Sequence, residues 1–367
     1  MIDRHTLNVL IAGGGCAALE AAFRLQHVAG QRVRTTILAP DEYLATHAKA
    51  VLVPFAAGAI PREPLPGLAS DAGARLRRGR MTAVDAAEHR VITADGGAID
   101  YDVLLIAIGA VSRAHPHALS FGGPGSERHM HGLIQDLEAG FVRRIVFVVP
   151  EDATWPVPLY ELALLTAERA YDMCLTPELT IVTPEHAPLE LFGFEVSGAL
   201  TKQLIDAGVT VITDTHAEVM TTRMVNLRGA GLLAADRVVT LPAFEGPALP
   251  GLPHDAAGYL RVDPHGRVVG APDVYAAGDV THHRVKQGGL ACQQADAAAD
   301  AIAARAGAAI EPRPYAPALQ GVLLTEHAET FLRRGSTKDA SGSDRALRRP
   351  PAKLAGRELS RHLSAPA

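Results

Sequence analysis

A glycine-rich stretch near the start of the chain has the residue types and spacing of a turn that holds a diphosphate. Gly13 and Gly15 follow an apolar run at residues 9–12, typical of a buried strand, and precede a run of good helix formers at residues 17–26. Gly13 permits a sharp turn, Gly15 lets a phosphate approach the backbone, and Ala18 lets the helix pack closely on the strand. The start of the helix adds N–H groups and partial positive charge for an anion. The diphosphate contacts predicted here are Gly13, Gly15, Cys16 and Ala17.

Two later stretches also combine a buried strand with a glycine at its end. Residues 101–108 are largely apolar and lead into Gly109, with Ala107 two positions earlier. Residues 273–277 lead into Gly278 and Asp279, and an alanine-rich helix is predicted from residue 288 to residue 305. Strands that alternate with helices in this way predict an α/β fold.

In this order the three motifs resemble those of flavoproteins with two dinucleotide-binding domains, a superfamily that includes pyridine nucleotide-disulfide reductases, type II NADH dehydrogenases and sulfide:quinone oxidoreductases. The resemblance covers residues 9–305 and implies two Rossmann-like (FAD/NAD(P)-binding) domains, with FAD as the cofactor. In that superfamily the first loop binds the FAD diphosphate and the late Gly-Asp pair binds the ribityl and phosphate end. The further cofactor contacts implied are Ala107, Gly109, Gly278 and Asp279, with the backbone near Met81 at the adenine.

The resemblance also implies that the predicted helix at residues 288–305 points its N-terminus at the pyrimidine edge of the flavin. A helix dipole and free N–H groups at that position stabilise negative charge on a reduced ring. Lys286 and Gln287 are predicted to add a cation and a hydrogen bond there, with a solvated surface lysine as the alternative for Lys286. No catalytic side chain is predicted, because the protein's task in flavin chemistry is to position and tune the cofactor.

The end of the second predicted strand, residues 34–40, departs from the usual nucleotide-binding pattern. Such domains generally place an acid there for the ribose hydroxyls, whereas this chain has Ala39 and Pro40. Asp41 or Glu42 can substitute, and solvated turn residues are the equal alternative. Residues 43–60 wrap near the flavin in the resembling proteins, so polar side chains there are candidates either for cofactor contact or for the surface: His47 and Lys49. The predicted cofactor contacts therefore include Ala39, Pro40 and Lys49.

A second glycine loop is expected after the strand at residues 144–150, where the NAD(P)-binding half of the superfamily begins. The chain instead continues Pro150-Glu151-Asp152-Ala153-Thr154-Trp155-Pro156-Val157-Pro158, without a glycine. Prolines remove backbone donors, Trp155 adds bulk and the two acids add negative charge, so all three oppose a bound diphosphate. The Rossmann pattern continues to residue 212, which predicts the shape of an NAD(P) domain without the means of holding NAD(P).

This loop and the motifs after it resemble the branch of sulfide:quinone oxidoreductase and flavocytochrome c sulfide dehydrogenase, which keeps FAD and does not use NAD. The match rests on Pro158-Leu159-Tyr160-Glu161 and on residues 182–193. In that branch one cysteine near the flavin precedes the Pro-x-Tyr-Glu motif and another lies near the C-terminus. Here Trp155 occupies the first position and no cysteine follows Cys292. Sulfide oxidation through a cysteine pair is therefore not expected.

The cysteines and paired histidines are weak indications of further chemistry. Cys16, Cys174 and Cys292 form no metal or disulfide pattern, and buried small side chains are the expected role, with a reactive Cys292 as the alternative. His-x-His pairs at residues 115–117 and 129–131 lack acidic or cysteine partners at ligand spacing. Solvated linker histidines are therefore expected, and no metal site is predicted.

The motif order divides the chain into three parts. The expected parts are a discontinuous FAD domain at residues 1–122 and 253–315, an NAD(P)-binding-like domain at residues 123–252, and a C-terminal interface or tail segment at residues 316–367. A β-meander is predicted at residues 75–95, a polar crossover at residues 112–132 and a hairpin at residues 259–269. A mobile loop is predicted at residues 336–344 and a short helix from residue 350. The basic tail is predicted to be solvated or to form a dimer contact, with an anionic membrane surface as the alternative.

Length and composition favour a soluble α/β enzyme. The 367 residues, 48% of them hydrophobic, provide core for two or three domains. A net charge of −5 gives no basic field for nucleic acid. The sequence has neither the pattern of a signal peptide nor an apolar run of about 18 residues. A cytoplasmic location is expected, and peripheral membrane contact and a homodimer stay open.

These observations predict an FAD-dependent oxidoreductase that passes electrons through the flavin between an unidentified donor and acceptor. A quinone or a redox protein is the candidate acceptor, and NAD(P)H is not the expected donor. One alternative is an NAD(P)H:acceptor oxidoreductase of the type II NADH dehydrogenase kind, which would hold NAD without a glycine loop. The other is an FAD-binding, redox-responsive interaction protein with little turnover, as apoptosis-inducing-factor-like proteins partly are.

Overall fold

The computed structural model describes residues 6–123, 125–325, 329–334 and 356–363 of the chain. Its first part contains β1 (Leu7–Ala12), α1 (Cys16–Val28), β2 (Val33–Ala39), β3 (Tyr43–Ala45), β4 (Arg62–Pro64), α2 (Leu65–Asp71), β5 (Arg75–Arg78), β6 (Met81–Asp85), β7 (Arg90–Thr93), β8 (Ala98–Asp100), β9 (Val103–Ile106) and β10 (Val111–Arg113). The middle part contains β11 (Leu119–Ser120), α3 (Ser126–Glu138), β12 (Arg144–Val148), α4 (Val157–Asp172), β13 (Glu178–Val182), α5 (Phe194–Asp206), β14 (Val209–Ile212), β15 (Ala217–Thr221), β16 (Met224–Leu227), β17 (Gly231–Ala234), β18 (Arg237–Thr240) and β19 (Ala243–Glu245). The last part contains β20 (Val274–Ala276), α6 (Gly288–Arg305), β21 (Gln320–Leu324) and β22 (Glu329–Arg333). Short 3₁₀ segments lie at Gly30–Arg32, His47–Phe55, Glu190–Phe192 and Leu359–Arg361.

The first sheet consists of five parallel strands in the order β20-β9-β1-β2-β5. β1 is central, with Val9 aligned to Thr35 of β2 and to Val103 of β9. The last four residues of β1 are buried, as expected for a parallel strand covered on both faces. Helices α1 and α6 cover one face through an alanine-rich interface, and the β6–β8 meander covers the other. We call this part of the molecule the first lobe.

The second sheet is also parallel, in the order β11-β18-β12-β13-β14. Helices α3, α4 and α5 cover one face, and the β15–β17 meander covers the other. We call this part the second lobe. Two parallel sheets with helical cover are Rossmann-like, so the predicted α/β class with two such units is confirmed.

The chain passes between the lobes through a two-stranded ribbon, in which β10 pairs antiparallel with β19. Arg113 and Glu245 form an ion pair across this ribbon, with 2.5 Å between Nε and Oε2. The next strand, β11, lies before residue 123 and already belongs to the second sheet. The β21–β22 hairpin packs into the core of the second lobe. The numerical domain boundaries stay predictions.

Two local predictions are wrong. Residues 75–78 do not begin the meander, because β5 pairs in parallel with β2 at the edge of the first sheet. Residues 126–138 of the predicted polar crossover form α3, in which Met130, Leu133, Ile134 and Leu137 are buried at helical spacing. Residues 259–269 turn back on themselves as predicted: Val262 and Val268 form an antiparallel bridge, and the N–H of Val269 donates to the carbonyl oxygen of Arg261 at 2.9 Å. The predicted loop at residues 336–344 and the start of the predicted helix at residues 350–355 lie outside the described residues.

Candidate functional site

The glycine loop forms a tight turn between β1 and α1, as predicted. Gly13 has a φ of +128°, and a Cβ at this position would overlap the carbonyl oxygen of Ala107. The N–H of Gly13 donates to the carbonyl oxygen of Leu38 at 2.9 Å. Gly15 is the N-cap of α1, and a Cβ there would meet nothing within 4 Å. The fold therefore requires glycine at position 13, whereas Gly15 faces open space from which a ligand can approach the backbone.

An open cleft of about 650 Å³, here called the dinucleotide cleft, lies at the carboxyl ends of the first-sheet strands. Open α/β sheets bind ligands at this edge. Most of the predicted cofactor contacts line it: Gly13, Gly15, Cys16, Ala17, Pro40, Met81, Ala107, Gly109, Gly278 and Asp279. Sequence reasoning missed a further wall formed by Pro247, Leu249 and Pro250, which enter from the segment after β19. No motif marks that segment, because only the fold brings it to the cleft.

A second space of about 320 Å³, here called the adjoining cleft, continues from the dinucleotide cleft. Cys16 and Gly288 line both spaces. The adjoining cleft is walled by both lobes and by β21, mainly through Thr46, His47, Val51, Phe121, Glu127, Trp155, Pro158, Glu161, Lys286, Gln287, Gly321 and Val322. A largely apolar space with a few polar groups suits a planar ring. Lys286 and Gln287, predicted at the flavin, lie in this cleft.

Two predicted contacts lie elsewhere. Ala39 is fully buried in β2 and lines neither cleft; it packs behind Gly14, where a Cβ would lie 2.9 Å from its methyl carbon. Lys49 also lines neither cleft, and its Nζ lies 3.3 Å from Oε1 of Glu329. Of the two acids weighed for the ribose, Asp41 lines the dinucleotide cleft.

Glu42, the other acid weighed for the ribose, pairs with Arg78 at 2.7 Å. His47, in contrast to Lys49, lines the adjoining cleft and lies 3.7 Å from Oε1 of Glu127. Of the two polar side chains considered in residues 43–60, His47 therefore lies in the adjoining cleft, whereas Lys49 lies outside both clefts.

Lys286 and Asp279 form the main electrostatic feature where the two clefts meet. Burial raises the pKa of Asp279, an effect that Lys286 opposes. Burial lowers the pKa of Lys286 to about 8, an effect that Asp279 opposes. Nζ of Lys286 donates to the carbonyl oxygen of Thr281 at 2.6 Å and lies 3.9 Å from the ring centroid of Tyr259. Since Lys286 is only 7% exposed, the alternative of a solvated surface lysine is wrong.

Helix α6 begins at the junction of the clefts. The side-chain oxygen of Gln287 caps it by accepting from the N–H of Leu290 at 2.8 Å. Gly288, the first helical residue, lines both clefts, so the partial positive charge of the helix start faces that junction. Gln287 thus positions the helix as well as lining the adjoining cleft.

The cysteines near the clefts are poor nucleophiles. Burial, reinforced by the charge of Asp279, raises the pKa of Cys16 to about 12. Cys292 is 1% exposed, its Sγ lies 3.9 Å from the carbonyl oxygen of Cys16, and burial raises its pKa well above the ordinary value. Because the thiolate is the reactive form, Cys292 serves as a small packing residue. Cys174 is exposed.

Residues 150–158 fill the place of a second glycine loop with side chains. Pro156 is the N-cap of α4 and Pro158 occupies its first turn, so two backbone donors are missing from the start of the helix. The ring of Trp155 packs edge-to-face on Phe192, with 5.8 Å between centroids. A Cβ on Gly321 of β21 would lie 3.2 Å from the same indole. The helix start is therefore closed by an aromatic ring and by the β21 strand.

The histidine pairs form no metal site. His129 and His131 lie on α3 instead of in a linker, and Nδ1 of His131 lies 2.7 Å from the carbonyl oxygen of Pro54. Among the described residues, no group of three or more histidine, cysteine or acidic side chains can hold a metal ion. In the same part of the chain, no helix combines the length and apolarity needed to cross a bilayer.

Comparison with known proteins shows which families the chain is similar to. The family model described as pyridine nucleotide-disulphide oxidoreductase matches residues 160–298. The match covers about two-fifths of the chain, over which this protein is similar to the pyridine nucleotide-disulphide oxidoreductases. Two NADH dehydrogenase-like proteins of Mycobacterium tuberculosis are 29% identical over 240 residues, which cover 61% of this chain and 59% of theirs. The match thus spans about three-fifths of the length of these curated relatives.

Solved structures of low sequence identity share the fold. Sulfide:quinone oxidoreductase from Aquifex aeolicus superposes with a TM-score of 0.76 at 17% identity, covering 86% of this chain and 81% of that one. NDH2 from Plasmodium falciparum in complex with NADH gives 0.61 at 14%, covering 76% and 64%. The family that matches and these neighbours support FAD as the cofactor, as predicted. The open backbone at Gly15 and the cleft at the sheet edge fit that cofactor.

Proposed function

We propose that the protein is an FAD-dependent oxidoreductase whose flavin carries electrons from a donor other than NAD(P)H to a quinone or a redox protein. The diphosphate of FAD would lie against the loop at residues 13–17, and the ring system in the adjoining cleft. The flavin supplies the electron-transfer chemistry when bound. The chain's own residues orient it and adjust the charge around it, through Asp279, Lys286 and the start of α6.

The observation that carries this proposal is the closed start of α4. A nicotinamide dinucleotide is usually held at this point by glycine backbone and by N–H groups of the helix. Here Pro156 and Pro158 withhold donors, while Trp155 occupies the space beside the helix. Glu151 and Asp152 precede it with negative charge. The second lobe therefore keeps the sheet of an NAD(P) domain and lacks its diphosphate contacts.

The walls of the adjoining cleft that the flavin ring leaves uncovered would suit an aromatic acceptor. Trp155 and Phe121 contribute rings, Val322 contributes an apolar side chain, and His47 and Glu127 form a polar pair in the same wall. A quinone combines an apolar ring with two hydrogen-bonding oxygens, so it matches both kinds of surface.

An NAD(P)H:acceptor oxidoreductase is the second candidate, favoured by the curated relatives named as NADH dehydrogenase-like proteins. In this case NAD(P)H would have to bind without the usual contacts at α4, entering beside Trp155.

Anaerobic visible spectra of the purified FAD-loaded protein separate the two candidates. We expect the flavin bands to persist for minutes after NADH or NADPH is added, to bleach with dithionite, and to return when a soluble quinone is added. Free FAD under the same conditions measures the direct reaction of each reagent. Bleaching by NADH or NADPH within seconds would replace the proposal by the second candidate. A dithionite-reduced flavin that no quinone reoxidises would remove the quinone and leave a redox protein as acceptor.

A further inference from the structure

The C-terminal residues 356–363, here called the strap, lie across helices α1 and α6 behind the glycine loop. Leu359 is fully buried in the core of the first lobe. His362 stacks on Phe23, with 3.9 Å between ring centroids. The backbone at Gly356 lies so close that an added Cβ would be 2.6 Å from Oε2 of Glu20 and 3.2 Å from Sγ of Cys292. The strap is therefore docked by specific packing and is part of the fold of this lobe.

A buried carboxylate on α1, that of Glu20, holds the strap in place. Glu20 lies one turn after Cys16 on α1 and is fully buried. Its two carboxyl oxygens accept the backbone N–H groups of Glu358 and Leu359, each at 2.8 Å. Because these donors belong to the strap, Glu20 loses both hydrogen bonds when the strap leaves. Burial raises the pKa of Glu20, although the strap's N–H groups oppose that effect.

Ion pairs between oppositely charged side chains also hold the strap against α1 and join α1 to α6. Nε of Arg24 lies 2.7 Å from Asp300, and Nη1 of the same residue lies 3.5 Å from Glu358. Nδ1 of His27 lies 3.1 Å from Glu358. Burial acts to raise the pKa of Glu358, but the hydrogen bond from His27 and the nearby arginines outweigh it and lower that pKa. The Glu358 carboxylate is therefore favoured in its ionised form at this site.

The hydrogen bonds and ion pairs that hold the strap do not include Asp296 on α6. Its Oδ1 is buried and has no hydrogen-bond partner within the described part of the chain. Burial, reinforced by the charge of Glu20, raises its pKa to about 7, against the opposing effects of Arg357 and Arg24. The charged and titratable groups facing this cluster are Cys16, Glu20, Arg24 and His27 on α1, Cys292, Asp296 and Asp300 on α6, and Arg357, Glu358, Arg361 and His362 on the strap.

We propose that the strap is a pH-sensitive latch, closed over α1 and α6 while Asp296 is protonated and released as Asp296 ionises beside the Glu20 carboxylate. The ionised carboxylates of Asp296 and Glu20 repel each other, and the closed strap keeps the fully buried Glu20 from water. Opening admits water to both. The latch lies directly behind Cys16 and the glycine loop. Its opening would therefore change the packing behind one wall of the dinucleotide cleft.

The direction of the pH dependence follows from Asp296. Its pKa is higher in the closed state than its ordinary value of 3.8, so the closed state binds more protons between these values. The latch is therefore most stable below this range and weakens as the pH rises through about 7. For one carboxyl shifted in this way, the equilibrium constant for opening increases about tenfold between about pH 6 and about pH 8.5.

Hydrogen exchange of the strap in the full-length, FAD-loaded protein tests the latch. After correction for intrinsic exchange, we expect amide protection over residues 356–363 to fall about tenfold between about pH 6 and about pH 8.5, while protection of β1 stays constant. In Asp296→Asn, protection should change less than about twofold over this range. The exposed Asp71→Asn, which makes the same charge change on α2, should behave as the wild type.

A second variant makes the test independent of Asp296. Gly356→Val places a side chain against Glu20 and Cys292, so its strap should be unprotected at both pH values while β1 stays protected. Constant protection of the wild-type strap across the pH range would overturn the proposal. So would a full wild-type response in Asp296→Asn, or its loss in Asp71→Asn.

Discussion

Two substitutions in the first loop, Gly13→Ala and Gly15→Ala, should have different effects. The first should lower the stability of the fold, and the second should lower the affinity for the cofactor. At Gly13 an alanine must adopt a φ of +128° and overlap the carbonyl oxygen of Ala107 on the neighbouring strand end. A residue held in such a backbone region costs about 1–3 kcal/mol, and the overlap forces β1 and β9 apart in addition. We expect Gly13→Ala to lower the free energy of unfolding of the FAD-free protein by about 3 kcal/mol or more.

Gly15→Ala should affect the cleft instead of the fold. Gly15 has φ −85° and ψ −173°, which alanine adopts freely, and its Cβ would meet no protein atom within 4 Å. The replacement of glycine by alanine at the N-cap costs about 0.5–1 kcal/mol. The lower entropy of the unfolded chain offsets about 0.4–1 kcal/mol, so stability should change little. The new methyl group projects into the space proposed for the diphosphate, and we expect FAD affinity to fall at least about tenfold, or about 1.4 kcal/mol.

Urea unfolding of FAD-free protein and titration with FAD, followed by quenching of flavin fluorescence, measure the two effects separately. Gly67→Ala is the matched control, because Gly67 lies exposed on α2 with open space around it and lines neither cleft. Unchanged FAD affinity in Gly15→Ala would refute the proposed position of the diphosphate. Wild-type stability in Gly13→Ala would refute the steric account of the loop.

Three further predictions concern buried polar groups. Tyr160→Phe should destabilise the protein by about 1–3 kcal/mol in urea unfolding, because the Tyr160 hydroxyl donates to Oε2 of Glu185 at 2.6 Å in a buried site; wild-type stability would count against this. Lys286→Met removes a cation whose pKa burial lowers to about 8 from its ordinary 10.5. The stability of the wild type relative to this variant should therefore rise as the pH rises through that window in FAD-free protein, and a fall would contradict the assigned burial. A thiol reagent should label the exposed Cys174 in the native protein and leave Cys16 and Cys292 unlabelled until unfolding, since burial raises both of their pKa values; rapid labelling of Cys292 would revive its reactive role.

The first lobe is the part of the molecule that the sequence predicts best, because local requirements there are strict. Position 13 must be glycine, because a Cβ there would overlap a neighbouring carbonyl oxygen. Such a strict requirement can be recognised in the sequence. The alanine-rich helix at residues 288–305 has the bounds of α6, since close packing on α1 requires small side chains throughout. Helix α3 was missed because its polar residues outnumber its apolar ones, although the apolar residues recur at helical spacing.

Long-range contacts explain what the sequence does not reveal about the site. Pro247, Leu249 and Pro250 reach the dinucleotide cleft from the end of the second lobe, and Gly321 reaches the adjoining cleft from β21. Neither group belongs to a motif. Glu20 looks like an ordinary helix residue until the strap, more than 330 positions later, supplies its hydrogen-bond donors. Side chains whose partners lie this far along the chain leave no local pattern.

The second lobe contributes the start of α4 to the wall of the adjoining cleft. Trp155, Pro158 and Glu161 all belong to the stretch where a nucleotide would be held, and all three line the adjoining cleft. Oε1 of Glu161 accepts the N–H of Leu324 at 2.8 Å, which fixes β21 against α4 and brings Gly321 beneath the indole. The arrangement supports a lobe that forms one wall of the proposed flavin site instead of holding a second nucleotide.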